Sequence, residues 1–537
     1  MFKQKFYLVI FGVYLLFSTA LMATGVWPSF VVYLNLGLML AAVILFDSEY
    51  ALYSVILSLP FYVDIPAPKY DTVSAWRIVF LFIFIVFAIR NRGKVLNFFS
   101  GMFRRKSDAV GEARGEKIKF FPWDKYLLGF ALAALLSLSV AKFKFAGLKE
   151  LLFAVNIYLI YIVAVNVIRS REQILRGIAV VFSSLAAIVL LGFVQFAFSI
   201  FTNFFYFWQY WAIMIARLYY GSFFADTSLY SNSWIAFSPT GQQSLRMFSV
   251  LPDSHSFAVL AMFSIPYAIA LLYFAKQKWQ KILLWIFIIL AVWAIILSGT
   301  RGVWVGLAAP AILAVIFYFS RFVRRSGTGT KKLLGKIALP ILFFLIILAA
   351  SPLIQKAIFS GRNYGNYIQR ARSVYNLDDE SNALRISIWK KTAVFIARHP
   401  LLGAGYGNFI TTLGNSGKSY SGAAQKRSQA FNLPQKYISA HNLYLQVLAE
   451  TGILGFVFFT WFLIKMFWWF WKHFRNFASR EAENFDGYAP FAIGVGLYFT
   501  ALFAYMLVDT TLMNDRVLIY FFLSLALAAA SQEFAAS

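Results

Sequence analysis

Residues 255–275 read HSFAVLAMFSIPYAIALLYFA, 276–281 read KQKWQK, and 282–298 read ILLWIFIILAVWAIILS. Each flanking piece is an apolar run near the ~20 residues that a helix needs to cross a hydrocarbon core about 30 Å thick. Neither carries a continuous polar face, so neither resembles a surface helix of a soluble domain. The piece between them has room only for a turn. Its Lys276, Lys278 and Lys281 mark it as a cytoplasmic loop, where Lys and Arg accumulate. This reads as a helical hairpin in a bilayer, and it decides the fold class.

The same alternation continues outward in both directions. Apolar runs lie near 6–23, 28–46, 50–65, 73–89, 124–141, 150–167, 177–201, 302–320, 337–354, 442–467, 488–508 and 517–533. With the central hairpin these make about fourteen spans, and about twelve if the shortest fail. The run at 50–65 is short and interrupted by Pro60, with Pro66 just beyond it. The first run is followed by Leu21-Met22-Ala23-Thr24-Gly25, a poor cleavage site, and reads as a retained helix. Of the 537 residues 61% are hydrophobic and 13% charged. Soluble domains are roughly 25% charged, so lipid must be the solvent for much of this surface. The expected fold is all-α: a polytopic transmembrane helical bundle of about 12–14 spans with a large helical extracytoplasmic loop.

The net charge of +27 is distributed over short loops, which fits membrane topology and argues against a nucleic-acid partner. Basic clusters at 90–119, 169–176, 276–281, 321–336 and 472–480 fall on one side if the spans are counted as above, with both termini inside. Cysteine is absent, which excludes disulfides, thiolate metal sites and cysteine nucleophiles. Four regions follow: N-terminal transmembrane helices (1–201), transmembrane helices with outer-face arginine motifs (202–354), a large outer loop (355–441) and C-terminal transmembrane helices (442–537).

Two long segments, 202–254 and 355–441, fall on the outer side. The second carries twelve Lys and Arg against only Asp378, Asp379 and Glu380. Long loops cross regardless of charge, and a basic outer loop favours an anionic partner such as a phosphate-bearing lipid. Plain adhesion to headgroups is the simpler alternative. Residues 205–220 (FYFWQYWAIMIARLYY) read as an interfacial helix, and 382–398 as an amphipathic one with Ile386, Trp389, Ala393 and Ile396 on one face.

Polar groups cluster at the outer ends of the spans. Residues 297–302 (LSGTRG) make a tight outer turn that leaves Arg301 at the membrane surface, where a guanidinium binds phosphate or snorkels to headgroups. Residues 246–255 (RMFSVLPDSH) place Arg246 and His255 at the outward N-terminus of a span capped by Asp253 or Ser254. In 399–408 (HPLLGAGYGN) the glycines shape a loop; no strand precedes them, so they form no nucleotide-binding fingerprint. Residues 441–455 (HNLYLQVLAETGILG) open a span in which Asn442, Gln446 and Glu450 form one polar stripe. An ionisable group in that position faces a cavity or a partner, for Glu450 an arginine. At the head of the stripe His441 is either structural or a base that takes a proton near neutral pH. Asp509, Asp515 and Arg516, in the last outer loop, would close the cavity.

In this order, Arg246, SGTRG at 298–302, Arg385-x-x-x-Trp389 with PLLGAGYG at 400–407, and HNLYLQVLAETGILG at 441–455 resemble the O-antigen ligase and polymerase superfamily. The resemblance covers about 240–460; the first 200 or so residues match only in hydropathy. It implies a GT-C-like membrane glycosyltransferase in a bacterial cytoplasmic membrane, with its site on the periplasmic or outer side. The implied donor is a glycan on a polyprenyl diphosphate, and the acceptor a hydroxyl of a glycolipid or glycan. Membrane lipids surround both, and neither metal nor other cofactor is required. The resemblance carries catalytic roles onto His441, Arg301 and Arg246; Arg385, Asn442, Tyr444, Glu450 and Thr300 are the expected substrate contacts. It assigns no role to His255. A flippase of lipid-linked glycans and a protein O-oligosaccharyltransferase remain alternatives. The first predicts repeats and a charged path through the whole membrane, the second the same donor site with another acceptor groove.

Overall fold

The computed structural model describes residues 2–28, 30–67, 71–94, 118–229, 235–237, 243–319, 335, 346, 380–413, 439–478 and 487–535. The described chain is almost wholly helical: α1 (Phe2–Ala23), α2 (Val31–Leu45), α3 (Ser48–Ser58), α4 (Ala75–Arg90), α5 (Asp124–Ser137), α6 (Lys144–Val167), α7 (Arg171–Phe201), α8 (Phe204–Phe207), α9 (Ala216–Leu229), α10 (Ser254–Phe274), α11 (Lys278–Leu297), α12 (Arg301–Gly306), α13 (Ala308–Phe319), α14 (Glu380–Arg398), α15 (Leu443–Ala478), α16 (Tyr488–Tyr505) and α17 (Asp515–Ala535). Two short antiparallel hairpins complete it, β1 (Asp64–Ala67) with β2 (Asp71–Ser74) and β3 (Ile235–Phe237) with β4 (Gln243–Leu245).

Seven of the described helices are long and apolar enough to cross a membrane by length and composition: α1, α6, α7, α10, α11, α15 and α16. Several expected spans are shorter, for local reasons. The run at 50–65 stops at Ser58, because Pro60 cannot donate to the ladder and disfavours helix before it; a 3-10 turn and the β1–β2 hairpin follow. The run at 302–320 divides at Leu307 into α12 and α13. The run at 337–354 apart from Ile346, most of the basic cluster at 321–336, and residues 355–379 and 414–438 of the large outer loop lie outside the described residues.

The core is built around α10, whose residues from Ser256 to Phe263 are all buried. It packs against α7, α11 and α16, while α17 packs on α6 and α15 on α5. Small residues permit the close approaches. In α12, a β-carbon at Gly302 would strike the Tyr505 ring and one at Gly306 the Ala501 carbonyl, so this G-x-x-x-G edge lies directly on α16. The longest helix, α15, is interrupted at Gly452, whose backbone (φ 62°, ψ −168°) is not helical. The polar stripe therefore belongs to a short helix ahead of the kink, not to a continuous span.

The bundle has two distinct ends. At one, the Tyr488 hydroxyl donates to the Arg171 carbonyl (2.8 Å), Arg176 pairs with Glu49 (2.7 Å), and Gly487 packs on Phe274. This end gathers the basic turns near 169–176 and 276–281. At the other, Leu443 N–H donates to the Met506 carbonyl (2.9 Å) and Met247 N–H to the Leu297 carbonyl (3.0 Å), joining the starts of α10 and α15 to the ends of α11 and α16.

Candidate functional site

That second end holds the polar residues singled out by sequence. The stretch 246–253 leads into α10 and is braced from α7. The Gln195 side-chain oxygen accepts the N–H groups of Phe248 and Ser249, both at 2.9 Å, and Trp211 Nε1 donates to the Ser249 carbonyl at 3.0 Å. This fixes Ser249 in a left-handed conformation (φ 58°) and sets the direction of Arg246. Asp253 caps α10, accepting from Ser256 N–H at 2.7 Å. It does the capping expected of it.

Arg246 is 5% exposed, so its charge needs close partners. Nε donates to the Ser298 carbonyl (3.0 Å) and Nη2 to Thr300 Oγ1 (3.1 Å), while the Thr300 hydroxyl donates on to the Ser254 carbonyl (3.1 Å). Thr300 is thus a bracket between two segments. Arg301, half-buried, follows it as the first residue of α12.

His255 lies between Arg246 and the end of α16. Its Nε2 is 3.4 Å from Arg246 Nη2; its Nδ1 is 3.0 Å from Asp509 Oδ2 and 2.8 Å from the Tyr505 hydroxyl. Asp509 also accepts from Thr510 N–H (2.7 Å) and from the Thr511 hydroxyl (2.5 Å). Burial works to raise the Asp509 pKa. The contact with His255, with His441 nearby and the Thr511 hydrogen bond, outweighs it and holds the carboxyl well below the usual carboxylate range.

His441 is near enough to the same carboxylate to interact with it electrostatically. It stands in the left-handed region (φ 47°), just ahead of α15. Burial drives its pKa from 6.5 down to about 4, against the pull of Asp509, with Arg385 and His255 adding to the fall. Arg385 sits one turn before Trp389 on α14, and Trp389 Nε1 donates to the Ala440 carbonyl at 2.8 Å. That bond docks α14 beside His441.

The remaining expected contacts hold the scaffold. Asn442 caps α15 by accepting from Leu445 N–H (3.0 Å) and donates to the Leu507 carbonyl (2.9 Å). The Tyr444 hydroxyl donates to the Phe503 carbonyl (2.9 Å). Both polar groups already have partners within the protein, because the turn after α16 must be tied to α15. Among the described residues, Glu450, 2% exposed, is met by backbone N–H groups and an amide in place of the expected arginine. Its oxygens accept from Gly407 N–H (3.0 Å), Phe409 N–H (3.2 Å) and Gln446 (3.3 Å). The glycine loop at 400–408 is what this carboxylate grips. Tyr406 N–H reaches Ser137 (3.0 Å), and the Asn408 side chain accepts from Phe143 N–H (2.8 Å), so the loop is wedged between α15 and the α5–α6 turn. Of the other residues expected to close the cavity, Asp515 pairs with Arg77 (3.0 Å), and Arg516 donates to the Leu59 and Tyr62 carbonyls beside the Tyr219 and Tyr220 rings.

The structure therefore gathers Arg246, Thr300, His441 and Arg385, with Arg301 next to Thr300. It adds His255, Tyr505 and Asp509. Sequence reading noticed His255 and Asp509 separately and did not join them. The one available signal was the rarity of histidine, four in the chain.

Residues 285–460 match the family described as O-antigen ligase. A protein of Haemophilus influenzae described as uncharacterized is 27% identical over 203 residues, or 37% of this chain and 45% of that protein. The chain thus spans less than half the length of that relative. The family match covers Arg301, Arg385 and His441; Arg246, His255 and Asp509 lie beyond it, and the fold brings them in. With its apolar helices the match makes this a multi-pass membrane protein.

Proposed function

We propose, from the premise that residues 285–460 are an O-antigen ligase family stretch within a multi-pass membrane protein, that the chain transfers a glycan from a polyprenyl diphosphate to an acceptor hydroxyl at the outer leaflet of a bacterial cytoplasmic membrane. The observation that supports this reading best is the grouping of arginines and imidazoles around Asp509, at the end of the bundle opposite the basic turns.

A polyprenyl diphosphate is a good leaving group. What its departure needs is positive charge held where charge develops. Arg246 is held by the Ser298 carbonyl, the Thr300 hydroxyl and His255, and Arg301 follows that threonine. The acceptor oxygen attacks the anomeric carbon as the carbon–oxygen bond to the diphosphate breaks, so the anomeric configuration inverts. The hydroxyl proton passes to His441, which is neutral at pH 7 and therefore free to accept it. The imidazolium so formed is stabilised by Asp509. Arg385 adds charge on the acceptor side. Thr300, Asn442, Tyr444 and Glu450 hold the framework. The reaction uses no metal, since the arginines meet the leaving group's charge.

The deciding experiment supplies purified protein with a polyprenyl-diphosphate glycan and glycolipid, glycan or protein acceptors, and follows chain transfer with and without chelator. Transfer that persists in chelator and vanishes in Arg301→Ala supports the reading. Movement of the donor across vesicles without any transfer would replace it with a flippase.

A further inference from the structure

His255 has a carboxylate on one ring nitrogen and a guanidinium on the other. Asp509 Oδ2 lies 3.0 Å from Nδ1, and Arg246 Nη2 lies 3.4 Å from Nε2. A carboxylate needs a hydrogen facing it; a guanidinium, which only donates, needs a lone pair. One neutral tautomer satisfies both, with the proton on Nδ1 and the lone pair on Nε2. The opposite tautomer sets donor against donor at Arg246 and lone pair against anion at Asp509. Two independent contacts thus select the same tautomer. The Tyr505 hydroxyl, 2.8 Å from Nδ1, and Gly302 packed on the Tyr505 ring hold the imidazole in place. Among the described residues, the charged and titratable groups facing His255 are Arg246, Asp509, Tyr505 and His441.

We infer that His255 is a positioning residue: as the Nδ1–H tautomer fixed by Asp509, it supplies through Nε2 an acceptor that aims the buried Arg246 guanidinium at a diphosphate. This rests on the transfer reading for the donor's identity, and it goes beyond that reading by assigning a role to a residue outside the family match. His255 does not serve as the base, since Nε2 is occupied by Arg246 and Nδ1 by Asp509. The inference also explains why the Arg246 side chain, buried in the segment leading into α10, meets an imidazole beside Ser298 and Thr300.

The two functions of the ring are separable by substitution. Glutamine extends a carbonyl oxygen toward the Nε2 position and restores the acceptor for Arg246. Asparagine presents an N–H near the Nδ1 position and restores the donor to Asp509 alone. The test measures binding of inorganic diphosphate to full-length protein in detergent, alongside kcat and KM for transfer from a polyprenyl-diphosphate glycan. Losing one hydrogen bond to a charged group corresponds to about a ten- to hundred-fold effect. H255A and H255N are expected to weaken diphosphate binding by that factor, and H255Q substantially less. If H255N binds like wild type while H255Q fails, the ring serves Asp509 and not Arg246, and the inference is overturned. Diphosphate binding indifferent to all three substitutions overturns it as well. Should H255A not fold, the Gln and Asn variants still decide. If wild-type protein binds diphosphate in this His255-dependent way yet transfers to no acceptor, the transfer reading fails and this assignment stands.

Discussion

At the scale of single residues, His441 makes the most direct prediction. A neutral imidazole accepts a proton; an imidazolium does not. Lowering its pKa from 6.5 to about 4 extends the neutral form toward acid. Transfer should therefore hold from about pH 8 down to about pH 5.5 and fall only as pH approaches 4. An acid limb centred near 6.5 would mean that another group is titrating. His441→Ala should lower kcat by at least about a hundredfold, the usual contribution of a general base, with the helical circular dichroism preserved. Arg246→Lys should lose activity nearly as completely as Arg246→Ala. A lysine cannot reach Ser298, Thr300 and His255 together from one planar fork, and it leaves acceptors unfilled inside the protein.

At the scale of elements, the short helix before Gly452 matters more than its length suggests. Asn442 caps it and Tyr444, Gln446 and Glu450 lie on it; Asn442, Gln446 and Glu450 bond to loop backbone and Tyr444 to the last turn of α16. Glu450→Ala would orphan the Gly407 and Phe409 N–H groups, at about 1–3 kcal/mol each. The thermal unfolding midpoint in detergent should fall, with Glu450→Gln recovering part of the loss. Lost transfer with an unchanged midpoint would instead make Glu450 a substrate contact. Gly452→Ala is expected to be worse: the position is left-handed, and a β-carbon would meet the Leu401 carbonyl. Little of this was readable in advance. The i, i+4, i+8 stripe was visible, but periodicity says only that three residues share a face. It cannot say that the partners on that face are backbone N–H groups of a loop more than forty positions earlier, as they are for Glu450.

At the scale of the whole molecule, the separation of the basic turns from the polar site gives the topology a direct test. The chain contains no cysteine, so single cysteines introduce the only thiols. In spheroplasts, an impermeant thiol reagent should label Lys390→Cys on exposed α14 directly, and Gln280→Cys in the basic turn only after permeabilisation. The reverse pattern would put the site in the cytoplasm. Hydropathy alone revealed the membrane class and most helices, because runs such as 255–275 have only one physical reading. Motif order picked out His441, Arg301 and Arg246. His255 stayed without a role because Tyr505, one of its partners, is 250 positions away, and no local pattern encodes a contact of that separation. The backbone of His441, at φ 47°, has a last consequence. A left-handed conformation costs a residue with a β-carbon on the order of 1–2 kcal/mol, while asparagine adopts it more readily. His441→Asn should therefore melt at or above the wild-type temperature while transferring nothing. Robustness and turnover are opposed at this position, and screens for thermostable variants should drift toward inactive ones there.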